Sequence, residues 1–471
     1  MDDKEILEER QKIISYLTAT RLEKGLSQKE LAAIIGTQKS NISRIESGSQ
    51  NITIDMFLKM SKALGKHVVV ELRDRETDIF SDEIYSIRLY DTELIRFSMK
   101  NDRKKGIITH VISVNSETKD LFPLDLDISD EGIADWIRKR VIPKNRAFVG
   151  MILKSVGLES NDTKGIIDVC LGLSLNDSYW VVKSDFNGRF KEYNLYENPF
   201  AEALALVAYT GEPYDTRIGS ISPEFTTHGV LRKAWRCIDG EGIVLYKGGT
   251  EGAANAGYEP YSEYYACQIA ERMGLDAVHY ELENWKGILA SKCRLFTDID
   301  TSYVPVGHIV KTGGLQAVID YCGSLGEQIQ DNLKSMLVFD AVIYNEDRHF
   351  GNFGLLRDNK TGVIKGMAPI FDNGMSLFNY GMREDFYNLK EYAETRTNPY
   401  GISYEDICRQ YMGIHQRQQL RRLIGFKFKR HESINLPEYR LSAIEQQIGY
   451  RVRELLSLPR IRTENELDYD R

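Results

Sequence analysis

Cysteine is scarce: six residues in 471, far apart and with no C-x-x-C pair. That excludes a disulfide framework or a Cys-based zinc module and suits a reducing compartment. Long apolar runs are missing too. The longest, such as residues 336–344, fall far short of the ~20 residues of a membrane-spanning helix. The opening Asp2, Asp3, Lys4, Glu5 reads as neither a secretory signal nor a transit peptide. The expectation is a cytoplasmic protein with no membrane partner. No segment repeats, and the first 66 residues contain no proline, so nothing there interrupts a helix.

What is present is ordinary for a globular chain: 42% hydrophobic and 28% charged residues, with length for two to four domains. A net charge of −8 argues against a general nucleic-acid binder, but the charge is unevenly spread. Residues 10–72 hold ten Lys/Arg against five Asp/Glu, a basic region that the acidic remainder conceals.

The patterning predicts an α+β multidomain protein. Residues 1–72 read as an all-α bundle ending in a strand-like HVVVEL (67–72), followed by a charged linker (73–78). Residues 79–220 read as mixed α/β, with strands around IYSIRLY, THVISVN and SYWVVK and helices over 131–139 and 199–209; no catalytic motif is visible there. Residues 221–315 read as β-rich with one helix, 316–458 as helical with one hairpin, and 459–471 as a flexible polar tail.

In GLSQKELAAIIGTQKSNISRIESG, Ser27 and Glu30 form a capping box that starts a helix with apolar Leu31, Ile34 and Ile35. Gly36 permits a turn and Thr37 can cap the next helix. Ile42 and Ile45 then face inward, leaving Gln38, Lys39, Ser40, Asn41 and Arg44 outside. A further helix over 54–64 is expected to bury Phe57, Leu58 and Leu64. The segment resembles the XRE/Cro-type helix-turn-helix, which includes HipB antitoxins. The resemblance implies a recognition helix in the major groove, with Gln38 and Asn41 suited to base edges and Gln28, Lys39, Ser40 and Arg44 to phosphates. One module makes few phosphate contacts, so a homodimer on a palindromic operator is expected.

The second signal is YNEDRHFGNFGLL, from Tyr344 to Leu356. Asp347 and Asn352 stand five apart, a spacing that lets a carboxylate orient an attacking hydroxyl while a nearby amide oxygen ligates Mg²⁺ on ATP phosphates. A predicted β-hairpin then delivers Asp372, followed by Asn373 and Gly374, 25 residues after Asp347; its place resembles that of the metal-binding aspartate of kinases, which implies a second metal ligand. Upstream, two strands flank the turn DGEG and put Lys247 at the second strand's end. Glu263 shares the apolar face of the next helix with Ala266, Ala270 and Met273; a carboxylate there needs a partner, and Lys247 is available. A β-rich lobe followed by a helical lobe suits a nucleotide cleft between them.

D-R-H-x-x-N (Asp347, Arg348, His349, Asn352) resembles phosphoinositide kinases and HipA-type toxin kinases. The HipA resemblance covers roughly residues 79–458 and implies a bilobal fold, ATP and Mg²⁺ as cofactors, and transfer to serine or threonine of a protein, in some relatives one of the translation machinery. It also implies a restraining partner, either a separate antitoxin or the fused module, and autoregulation of a toxin–antitoxin-like operon. Kinase activity unchanged by removal of residues 1–73 would exclude restraint by the module. SPEFTTHG (222–229) stands where a phosphate-covering loop belongs. Thr226, Thr227 and Gly229 would line the nucleotide, and Ser222, Thr226 and Thr227 are autophosphorylation candidates. KGGTEGAANAG, behind Lys247, reads as a flexible connector. Two other functions fit the same residues: a small-molecule or lipid kinase, and a nucleotide-sensing transcriptional repressor.

Overall fold

The computed structural model describes residues 3–68, 83–102, 104–159, 162–213 and 221–459. Residues 69–72 of the expected strand, the expected linker 73–78 and residues 460–471 of the expected tail lie outside the described residues. The chain folds as two compact units, Met1–Ile79 and Phe80–Arg471.

Among the described residues, the first unit is four helices: Asp3–Glu23, Gln28–Ile35, Lys39–Glu46 and Ile54–Ala63. Ser27 Oγ accepts from Glu30 N and Glu30 Oε2 from Ser27 N, so the capping box is complete. Gly36 ends that helix in the left-handed region at φ 73°, where a side chain would be strained. Leu17, Leu31, Ile42, Ile45, Met60 and Leu64 form the core. Arg21 fastens the first helix to the third through a two-pronged pair with Glu46 (2.6 and 2.8 Å). Two expectations fail here. Gln38, not Thr37, is the N-cap of the third helix, and Thr37 instead accepts from Asn41 Nδ2 at 3.1 Å. Leu58, expected to be buried, is exposed, because the bundle closes over Met60 and Leu64 and leaves its face open; apolar Ile34 is exposed as well.

Among the described residues, the second unit holds three antiparallel sheets. The first runs Gly106–Val114, Thr92–Asp102, Glu83–Leu89, Tyr179–Lys183. It is covered by helices Asp130–Arg138 and Thr163–Cys170 through Phe97, Ile107, Ile133, Ile137 and Ile167. The second sheet has the order Lys233–Ile238, Gly242–Gly248, Ile288–Arg294, Tyr280–Trp285. Helix Glu259–Met273 packs on it and also enters the main helical core through Tyr265, Ile269 and Met273. The third sheet joins the hairpin Gly354–Asp358 and Ile364–Met367 to strand Thr301–Pro305. The chain has therefore left the second sheet before residue 315. Helices Gly314–Leu325, Glu327–Ile343 and Glu438–Ser457 dominate the remainder.

Candidate functional site

Lys247 is the penultimate residue of strand Gly242–Gly248 and sits between Lys233 and Ser291 across the sheet. Its ammonium pairs with Glu263 Oε1, from helix Glu259–Met273, and with Asp372 Oδ1 at 2.5 Å. Glu263 is 1% exposed, and its other oxygen accepts from Asn373 N at 2.7 Å. The carboxylate is thereby wholly partnered, which is what permits it on an apolar helix face. Asp372 holds a left-handed backbone (φ 58°), uncommon for a residue with a side chain. Burial would push its carboxyl up, but the charges of Lys247 and Lys233 outweigh burial and hold it well below the usual carboxylate range. Burial likewise pushes the Glu263 carboxyl up, against Lys247.

Asp347 lies in the turn after helix Glu327–Ile343, and Asn352 Nδ2 donates to its carbonyl at 2.8 Å and to its carboxylate at 3.4 Å. That choice of donor leaves the Asn352 amide oxygen free to accept. Burial, and then the charge of Asp372, push the Asp347 carboxyl up, while His349 opposes them. The connection between the two acidic segments is Arg348, which is fully buried. It pairs with Asp340 at 3.0 Å, donates to the Asn352 carbonyl at 3.0 Å, reaches the Phe371 carbonyl, and binds Asn373 Oδ1 at 2.5 Å. Asp347, Asn352 and Asp372 are thus set by one guanidinium, a role its place in the motif did not reveal.

Lys247, Asn352 and Asp372, but not Asp347 or Glu263, line a cavity of 590 Å³, together with Phe296, Thr226 and Gly229. Apolar Leu245, Val278 and Cys293 line it as well, a surface suited to a flat heterocycle. Lys233 also lines it, and no periodicity around it separates this lysine from a solvated one. Lys233 is 8% exposed, and its ammonium donates to the His228 carbonyl at 2.8 Å. Burial, with Lys247 and Arg146 nearby and only partly offset by Asp372, pushes it down to about 8.

In the 222–229 loop, Ser222 is 1% exposed and its Oγ accepts from Glu224 N. Thr226 donates to the Leu173 carbonyl at 2.9 Å, and Thr227 donates to the Pro223 carbonyl at 2.7 Å. Gly229 has φ 99°, and a Cβ there would lie 2.1 Å from the Lys233 ammonium. The glycine-rich stretch after Lys247 is tied down: Glu259 accepts from Thr250 Oγ1 at 2.7 Å, and Asn255 donates to the Tyr380 carbonyl at 2.6 Å.

On the first unit, Gln38, Lys39, Ser40 and Arg44 are exposed and Asn41 is half-buried. Gln28 is turned inward, donating to Glu46 at 2.9 Å. Among the described residues no helix is long and apolar enough to cross a membrane.

Residues 17–70 match the helix-turn-helix family model. The chain is 28% identical over 132 residues to the serine/threonine-protein kinase CtkA of Helicobacter pylori, covering 25% of this chain and 40% of that protein. Among solved structures, the Helicobacter pylori proinflammatory kinase CtkA matches with TM-score 0.39 at 18% identity, over 51% of this chain and 95% of that one. A Shewanella oneidensis HipA–HipB–operator DNA complex matches with TM-score 0.44 at 12% identity, over 80% of this chain and 100% of that one. The chain carries a helix-turn-helix domain over residues 17–70, joined to a unit similar in sequence to a serine/threonine-protein kinase.

Proposed function

We propose that the second unit is an ATP- and Mg²⁺-dependent serine/threonine protein kinase of HipA type, and that the helix-turn-helix domain binds operator DNA as a homodimer. The observation that carries the kinase reading is the buried lysine bridging two carboxylates, Glu263 and Asp372, beside a third acid held by an asparagine. An ion cluster of this kind is costly to bury and is best accounted for by a polyanionic ligand.

In this reading Lys247, released from Asp372 as phosphates arrive, binds ATP oxygens while Glu263 keeps the ammonium in place. Lys233 supplies a second cation at the same wall. Asp347 orients an acceptor hydroxyl, and its raised affinity for a proton suits it to receive one. The donor set fits magnesium: one Asp372 carboxylate oxygen beyond the lysine pair and the free amide oxygen of Asn352 are hard ligands, few enough to leave positions for phosphate oxygens and water. Bound there, the ion would neutralise charge on the phosphates.

The DNA reading rests on the exposed Gln38–Arg44 surface and the family match. Gln28 is less suited to phosphate while Glu46 holds it.

The test offers purified chain labelled ATP and Mg²⁺ with three acceptor classes: host proteins, lipids and sugars. Label on protein serine or threonine is the expected result. Label confined to a lipid or a sugar would replace this reading with a small-molecule kinase.

A further inference from the structure

The loop over residues 222–229 has one glycine and little to hold it above a cleft by itself. The segment between helices Asp130–Arg138 and Val149–Lys154 holds it instead. Arg146, 2% exposed, pairs through Nη2 with the Glu224 carboxylate, and both groups are buried. Its Nη1 donates to the carbonyls of Glu224 at 2.7 Å and Thr227 at 3.2 Å, and its Nη2 to the carbonyl of Lys233 at 2.9 Å. The other oxygen of Glu224 accepts from Trp235 N at 2.8 Å. Ala147 N donates to the Val230 carbonyl at 2.9 Å.

One guanidinium therefore fixes the start of the loop, its middle and the first residue of strand Lys233–Ile238. The loop in turn fixes the Lys233 ammonium through the His228 carbonyl. Thr226, Thr227, Gly229 and Lys233 line the same cavity as Lys247 and Asp372. A buried ion pair is a poor source of stability but a strong constraint on geometry, because removing either member leaves a charge without a partner. A lysine at 146 would reach one of these carbonyls and not all three, since only the planar fork presents several donors at once.

We propose that Arg146 is a positioning residue that holds the 222–229 loop and Lys233 against the phosphates of a bound nucleotide, so that the region before residue 213 is part of the nucleotide site. This rests on the kinase reading above. Arg146 itself touches no substrate.

The experiment titrates full-length chain with ADP and with adenosine, both with Mg²⁺, and measures ATP turnover. The double variant Arg146→Met/Glu224→Gln leaves no unpaired buried charge and keeps an acceptor for Trp235 N. It is expected to weaken ADP by about tenfold, to leave adenosine within about twofold, and to raise KM for ATP more than it lowers kcat. Arg146→Lys keeps the charge paired and serves if the double variant does not fold; the same selective loss is expected at about threefold. ADP affinity unchanged in both variants, or ADP and adenosine weakened alike, would overturn the proposal. A parent chain that binds neither ligand would overturn the kinase reading, and this inference with it.

Discussion

The two units keep their polar functional groups in opposite ways. In the helix-turn-helix domain, Gln38, Lys39, Ser40 and Arg44 stand in water on one short helix, within a stretch of sequence that also supplies the capping box and the turn. In the second unit, Lys247 meets Asp372 across 125 residues of chain; the lysine and its other partner Glu263 are buried, and Asp372 is half-buried. Exposed side chains are held at little cost and act nearly independently. Buried ions depend on one another, so each substitution there is large and non-additive.

The comparison is sharpest where the expected effect is largest. Asp347→Ala should reduce phosphoryl transfer by about a thousandfold while leaving ADP binding near the parent value, measured by titration. Lys247→Met should abolish turnover and also destabilise the fold by about 3–5 kcal/mol, because Glu263 is left buried and unpaired. Lys247→Met/Glu263→Met should recover much of that in urea unfolding, and additive losses would break the claim of a coupled cluster.

Intermediate effects are expected on the DNA side. Asn41→Ala should cost about 1–3 kcal/mol of sequence-specific affinity. Lys39→Ala should weaken all sequences alike and shrink the salt slope by about one. Both are read in a binding titration at several salt concentrations, and turnover should not change.

A smaller effect tests Lys233. Its ammonium is lost above about 8, so ADP affinity should fall as pH rises through that value and level off below it. Lys233→Met should bind more weakly and show no such step. By linkage, a lysine depressed on folding adds stability as pH rises through that range, so melting curves separate lost binding from unfolding. The smallest effect is Ser27→Ala, which removes one cap and should cost about 1 kcal/mol in thermal unfolding.

The contrast also explains what could be read before the structure. Local signals sufficed for the first unit: Ser27 and Glu30 are three apart, and their reciprocal hydrogen bonds follow from that spacing. The inward set was only partly legible, since Ile34 and Leu58 have the spacing of core residues and lie outside. In the second unit, Lys247 and Glu263 could be paired because a carboxylate on an apolar helix face requires a cation. Strand Thr92–Asp102 escaped notice because it is buried on both faces across Phe97–Met99, which erases alternation. Arg146 could not have been found. Its partners Glu224, Thr227 and Lys233 come from a segment 78 or more residues away, and no local spacing records them.

The most direct test is transfer of the terminal phosphoryl of labelled ATP to proteins of a host lysate, by the parent chain and by Asp347→Ala side by side. The account predicts label on serine or threonine with the parent and none with the variant. Equal labelling by both, or no labelling by a parent that binds Mg²⁺ and ATP, would contradict it.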